Sequence, residues 1–177
     1  MKTSQILIAG FGGQGVLFAG KFLAYKGLCE DRPVSWLPSY GPEMRGGTAN
    51  CSVTVSDSPI GSPIISHPDI LIAMNLPSLD KYEDSVKPGG QIYIDSTLIE
   101  RKVNRTDVSA FYIPATQMAS DSGLTTLANM IIMGKVLREG GAVSYEGLGD
   151  ALKKVVSAKH ADLYDANMKA IEMGYNF

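Results

Sequence analysis

The segment Gly10-Phe11-Gly12-Gly13-Gln14-Gly15 constrains this chain more than any other part of it. It stands between a short apolar run, QILIAGF over residues 5–11, and VLFAGKFLAYKGL, where apolar residues recur at helical spacing. That pattern predicts a strand, a tight turn and a helix, and it places a G-x-G-x-x-G match in the context where the match has physical meaning. Glycine tolerates positive φ and close approach of a ligand to the backbone, while unpaired amides and the dipole at a helix start attract phosphate. Gly10, Gly12, Gly13, Gln14 and Gly15 are therefore candidates for cradling an anion. The same glycines could instead only let the turn pass and the helix pack closely on its sheet.

Further along, PVSWLPS (33–39), TANCSVTVS, DILIAMN, QIYIDST and VSAFYIPAT read as strands, and LPSLDKYEDSVK and GLTTLANMIIMGKVLREGG as helices, the second apolar around much of its circumference. Tyr145, Leu148, Leu152 and Val155, then Tyr164, Met168, Ile171 and Tyr175, mark two more helices at the C-terminal end. Strands alternating with helices predict an α/β fold, Rossmann-like, with a mostly parallel sheet flanked by helices and ligands bound beyond the carboxyl ends of the strands. With 177 residues and 45% hydrophobic content, the chain can bury one sizeable core, and residues 1–177 read as a single domain.

Charge and composition exclude several functions. The 16 Lys+Arg against 18 Asp+Glu leave a formal charge of -2, and no basic stretch interleaved with aromatics suggests nucleic acid. No stretch approaches the length needed to cross a bilayer, and glycines interrupt the apolar start that would otherwise resemble a secretion signal. Cytoplasmic residence is the expectation. Cys29 and Cys51 are too few for a disulfide framework or a cluster ligand set, and both read as core residues. His67 and His160 belong to no triad or metal set and read as structural or solvated.

A nicotinamide site needs an acid at the end of the second strand to hold the ribose. Here that place reads Ser35-Trp36-Leu37-Pro38-Ser39-Tyr40, with no acid. The segment that follows carries more chemistry. Arg45 offers a planar fork for phosphate or carboxylate, Gly46 and Gly47 can turn successive amides toward one anion, and Thr48 adds a hydroxyl. Tyr40 and Glu43 complete the set, although Glu43 could equally pair with Arg45 or with a partner subunit. Asp95 could face the strand-end crevice or cap Thr97 and the following turn. Asn129, inside a buried-looking helix, needs a partner and could bond a glycine loop or a ligand.

AGFGGQGVLFAGK, SWLPSYGPEMRGGTANCSV and NMIIMGKVL, with NMKAIEMGY at the end, closely resemble the gamma subunit or gamma domain of 2-oxoacid:ferredoxin oxidoreductases over nearly the whole chain. SYGPEMRGGTAN is most similar to the enzymes that use 2-oxoglutarate or branched-chain 2-oxoacids. The resemblance implies oxidative decarboxylation of a 2-oxoacid with coenzyme A, giving acyl-CoA, CO2 and reduced ferredoxin. It also implies thiamine diphosphate, Mg and iron–sulfur clusters on partner alpha and beta subunits, with a ferredoxin-like delta subunit in some complexes. The chain itself lacks a thiamine-type Gly-Asp-Gly and a cysteine cluster set. By the same resemblance, Gly10, Gly12, Gly13, Gln14, Gly15, Tyr40, Glu43, Arg45, Gly46, Gly47, Thr48 and Asn129 are expected to help bind coenzyme A, with no catalytic group on this chain. In isolation a homodimer is a further expectation. The competing readings are a docking subunit that touches no ligand and a self-sufficient nucleotide-dependent oxidoreductase.

Overall fold

The computed structural model describes residues 2–39 and 49–177. Its strands are β1 (Thr3–Gly10), β2 (Val34–Ser39), β3 (Ala49–Ser56), β4 (Ile70–Ala73), β5 (Gln91–Asp95) and β6 (Ser109–Ile113). Its helices are α1 (Val16–Cys29), α2 (Leu76–Tyr82), α3 (Ala115–Asp121), α4 (Ala128–Glu139), α5 (Leu148–Val155) and α6 (Ala161–Asn176).

One six-stranded sheet runs in the order β2-β3-β1-β4-β5-β6. β1, β4, β5 and β6 pair in parallel, whereas β3 is antiparallel to both β1 and β2. The sheet is thus mostly parallel, with β3 inserted between the first two strands of an otherwise doubly wound order. Alternation along the strands distributes their side chains between two layers. Ile6 and Ile8 of β1, with Cys51, Val53 and Val55 of β3, join the core formed with α1, α4, α5 and α6. Leu7, Leu71, Ile92 and Ile94 face the smaller core closed by Leu79 of α2 and by Ile99 and Val103 beyond β5. Beside them, β3 turns Ser52, Thr54 and Ser56 to the smaller side.

The larger layer is set by a close crossing of α4 and α6. A Cβ on Gly134 would run into the Ile171 carbonyl, and one on Gly174 into the Ile131 carbonyl, so only glycine permits this approach. The helix expected over 123–141 begins only at Ala128, because Gly123 takes φ 70 and a turn closes there before the chain becomes helical. A separate short helix, α3, precedes it and has no counterpart in the sequence reading. Likewise, α2 ends at Tyr82 and passes into a 3-10 turn at Glu83–Ser85.

Candidate functional site

β1 ends at Gly10, and the chain turns through Phe11–Gln14 into α1. Gly13 has φ 89 and Gly15, the N-cap of α1, has φ 72, both in the region that side chains resist. No side chain among the described residues caps the helix and no acidic residue occupies its first turn, and its first amides, as at any helix start, have no intrahelical partners.

Two carboxamides hold the turn in shape. The Phe11 amide donates to Gln14 Oε1 at 2.6 Å, and Gln14 Nε2 donates to the Met74 carbonyl at the end of β4 at 2.9 Å. Asn129 Nδ2, from the first turn of α4, donates to the Gly15 carbonyl at 3.0 Å. A Cβ on Gly15 would collide with the Asn129 carboxamide, whereas one on Gly13 would meet nothing within 4 Å. Both ends of the Gln14 carboxamide are thereby engaged within the protein, and its contribution is to set the backbone around Gly12 and Gly13.

Hollows flank this turn on both sides. One of about 260 Å³ is lined by Phe11, Gly12, Gly13, Val16, Phe18 and Ala49. The other, about 230 Å³, is lined by Gly13, Met74, Leu98, Thr116, Thr125 and Thr126. Gly13 belongs to both walls. The first hollow is bounded by apolar side chains and the second is rich in hydroxyls. Together they form the crevice outside the carboxyl ends of β1, β4 and β5.

The structure brings Gly10, Gly12, Gly13, Gln14, Gly15 and Asn129 together. Tyr40, Glu43, Arg45, Gly46, Gly47 and Thr48 lie outside the described residues. The residues bounding that segment are placed: Ser39 pairs with Asn50, and Ala49 pairs with Gly10. The start of antiparallel β3 therefore occupies the place beside the glycine turn where a nicotinamide-binding fold sets the strand carrying its ribose acid, and β2 is one strand further away. Asp95 is fully buried and accepts bonds from Thr97 N at 3.1 Å, Thr116 N at 3.3 Å and Thr116 Oγ1 at 2.6 Å. It caps the turn after β5.

Cys29, expected in the core, is exposed at the last position of α1, where the helix has turned its edge to solvent. Cys51 is buried with its Sγ 3.5 Å from the Val16 carbonyl, and burial pushes its thiol up to about 12. His67 Nδ1 lies 3.1 Å from the Ser85 carbonyl at the surface, and His160 precedes α6. Among the described residues, no group of three or more His, Cys, Asp and Glu could hold a metal ion, and no helix is long and apolar enough to cross a membrane. Met74, Leu98, Thr116, Thr125 and Thr126 were absent from the sequence candidates. The usable signal is position, since Met74 ends an apolar run and Leu98 follows another within three residues, both at the crevice end of their strands.

Sheet order, the strand–glycine turn–helix unit and the crevice define a Rossmann-like α/β domain. The chain belongs to the pyruvate ferredoxin/flavodoxin oxidoreductase family, whose model matches residues 5–177. It is 39% identical over 171 residues to the ketoisovalerate oxidoreductase subunit VorA of Methanothermobacter thermautotrophicus, a match covering 96% of this chain and 35% of that one. The chain thus spans about a third of the length of the VorA relative. It is 34% identical over 174 residues to the 2-oxoglutarate synthase subunit KorC of Methanocaldococcus jannaschii, covering 97% of this chain and 91% of the relative. The crystal structure of a keto/oxoacid ferredoxin oxidoreductase gamma subunit from Geobacter sulfurreducens superposes with a TM-score of 0.83 at 28% identity, covering 98% of this chain and 96% of that one.

Proposed function

We propose that this chain, with residues 1–177 as one domain, is the gamma subunit of a cytoplasmic 2-oxoacid:ferredoxin oxidoreductase and helps bind and position coenzyme A. The enzyme converts a 2-oxoacid, 2-oxoglutarate in this reading, with coenzyme A to acyl-CoA, CO2 and reduced ferredoxin. Thiamine diphosphate with magnesium, and iron–sulfur clusters, reside on alpha and beta partners (with a delta subunit where one is present) and supply decarboxylation and electron transfer.

The observation that carries the reading is the open, uncharged turn at Gly12 and Gly13, flanked by hollows on both sides, in a member of this family. A long ligand with a phosphate-bearing end and an uncharged arm suits such a divided crevice. Gly12, Gly13 and the first amides of α1 receive anionic oxygens, while Gln14 and Asn129 keep the turn rigid. Tyr40, Glu43, Arg45, Gly46, Gly47 and Thr48 act from the neighbouring segment, Arg45 as a bidentate phosphate contact. The subunit accelerates acyl transfer by holding the coenzyme A thiol in place, a positioning role that needs no proton-transfer group here.

The test is anaerobic purification of the tagged chain from its host, followed by assay of coenzyme A-dependent ferredoxin reduction with a panel of 2-oxoacids. Alpha and beta partners should co-purify with activity on one acid. In that complex, Arg45→Ala should raise the KM for coenzyme A by about tenfold, the scale of one charge-assisted bond, while decarboxylation is retained. Equal loss of both would indicate failed assembly. A lone chain active with a nucleotide would refute the proposal.

A further inference from the structure

Three large apolar side chains stand exposed on the crest that carries the crevice: Phe11 after β1 (44% exposed), Leu76 after β4 (40%) and Leu98 after β5 (45%). These strands are adjacent and parallel, so their carboxyl ends lie side by side. Among the described residues, the stretches that display them are nearly uncharged. The stretches 10–15, 74–77 and 95–98 contain one ionisable carboxylate, Asp95, which is fully buried.

The loops that display these residues are tied to one another. Gln14 links the Phe11 turn to the Met74 carbonyl, two residues before Leu76. Arg101, three residues after Leu98, pairs with Asp80 of α2 at 2.6 Å and with Glu83 at 2.8 Å. Rigidly presented apolar residues without charge, bordered by ion pairs, have the make-up of an interface core with a polar rim. Because the loops are already fixed, docking would order little.

From these observations we infer that the Phe11–Leu76–Leu98 crest is the face by which this chain docks another subunit of the same enzyme, through an apolar, uncharged surface on that subunit. The inference rests on the function proposed above. Its occupant follows from chain length. In the VorA relative a domain like this one is part of a polypeptide about three times as long, whereas the KorC relative is a subunit of nearly this size. A surface that meets the remainder of the polypeptide within one chain in the first case must meet a separate chain in the second. Docking at the crest closes the crevice from above, so ligand and partner share one end of the sheet.

The experiment uses the full tagged chain expressed anaerobically in its host, without added coenzyme A. Partners are identified by mass spectrometry and by 2-oxoacid-dependent ferredoxin reduction. The double variant Leu76→Asp/Leu98→Asp should reduce recovered alpha and beta partners at least about tenfold, the scale of an interface hot spot. Leu76→Met/Leu98→Met should retain them, as should Leu28→Asp at the C-terminal end of α1, another exposed leucine (53%). Thermal melts of the purified variants separate lost docking from unfolding. Wild-type recovery of partners by the Asp double variant overturns the inference alone. So does a change in the variant's own oligomeric state with capture intact, which would make the crest a surface between copies of this chain. Failure of the unaltered chain to capture any oxidoreductase subunit overturns the proposed function and this inference with it.

Discussion

The two ends of the sheet use polar chemistry in opposite ways. At the amino ends of the parallel strands, charges are paired. Lys26, only 1% exposed, joins Glu30 and Ser144; Arg32 pairs with Asp57 at 3.1 Å and donates to the Ala142 carbonyl; Lys87 pairs with Asp69 at 2.8 Å. The first two sets join α1, the ends of β2 and β3 and the segment after α4, and the third joins the segments that lead into β4 and β5. At the carboxyl ends, the neutral carboxamides of Gln14 and Asn129 hold the glycine turn, the Arg101 ion pairs stand at the border, and backbone amides and apolar side chains remain open. Ion pairs thus fix the end that need not change, whereas the glycine turn that receives a ligand is held by carboxamides that add no charge.

The largest expected effect tests the closed end. Lys26→Ala removes a buried stem and its ammonium, leaving Glu30 with its Ser144 bonds and the Arg32 guanidinium at 3.7 Å. Breaking such a pair costs roughly 3 kcal/mol, at the low end of the buried range because Glu30 is one-fifth exposed, and lowers Tm by roughly 6–12 °C. Coenzyme A dependence of the assembled enzyme should stay as in wild type. A variant with wild-type Tm, or one with a changed KM for coenzyme A, would break the division between the two ends.

A smaller effect on stability, with the functional consequence reversed, is expected at the open end. Ala at either Gly13 or Gly15 carries the strain of positive φ, about 1–2 kcal/mol. Gly15→Ala also displaces Asn129, so it should be the more destabilising of the two in urea unfolding. Gly13→Ala places its methyl in the crevice, and should raise the KM for coenzyme A about tenfold at little further cost in stability. Adding Asn129→Ala to Gly15→Ala should recover part of the lost stability by making room. No recovery would mean that backbone strain alone, without the Asn129 collision, accounts for the loss.

The glycine turn was legible because everything that defines it is local: an apolar strand, closely spaced glycines and a helical period directly after them. The need of Asn129 for a partner was legible too, since an amide in a greasy helix must be satisfied. What stayed hidden depends on which elements become neighbours. That the Gln14 side chain meets a carbonyl 60 residues away could not be read, because that carbonyl ends a strand that becomes adjacent only once the sheet is ordered. The insertion of β3 between β1 and β2 is invisible to period-2 alternation, which is the same for either strand direction. The hydroxyl side of the crevice escaped for a related reason. Thr116, Thr125 and Thr126 come from the segments around α3 and before α4, and only packing carries them to Gly13.

The smallest expected effect concerns pH and again belongs to the closed end. Burial raises the carboxyl of Glu30, but hydrogen bonds from Lys26 and Ser144 together outweigh it and hold the group below its ordinary value of 4.5. A carboxylate depressed in the folded state adds stability that is fully present above its unfolded pKa and is lost as pH falls through the folded one. The stability gap between wild type and Glu30→Gln should therefore be constant from neutral pH down to about 5 and narrow below about 4.5. The part of the gap that changes with pH should stay under about 1 kcal/mol, because solvent reaches the carboxylate and screens it. Urea unfolding of both proteins at several pH values between 3 and 7 measures the gap directly. If the gap widens on acidification, the Lys26–Glu30–Ser144 cluster favours the protonated acid, and the amino-end network does not hold the fold as an ion pair.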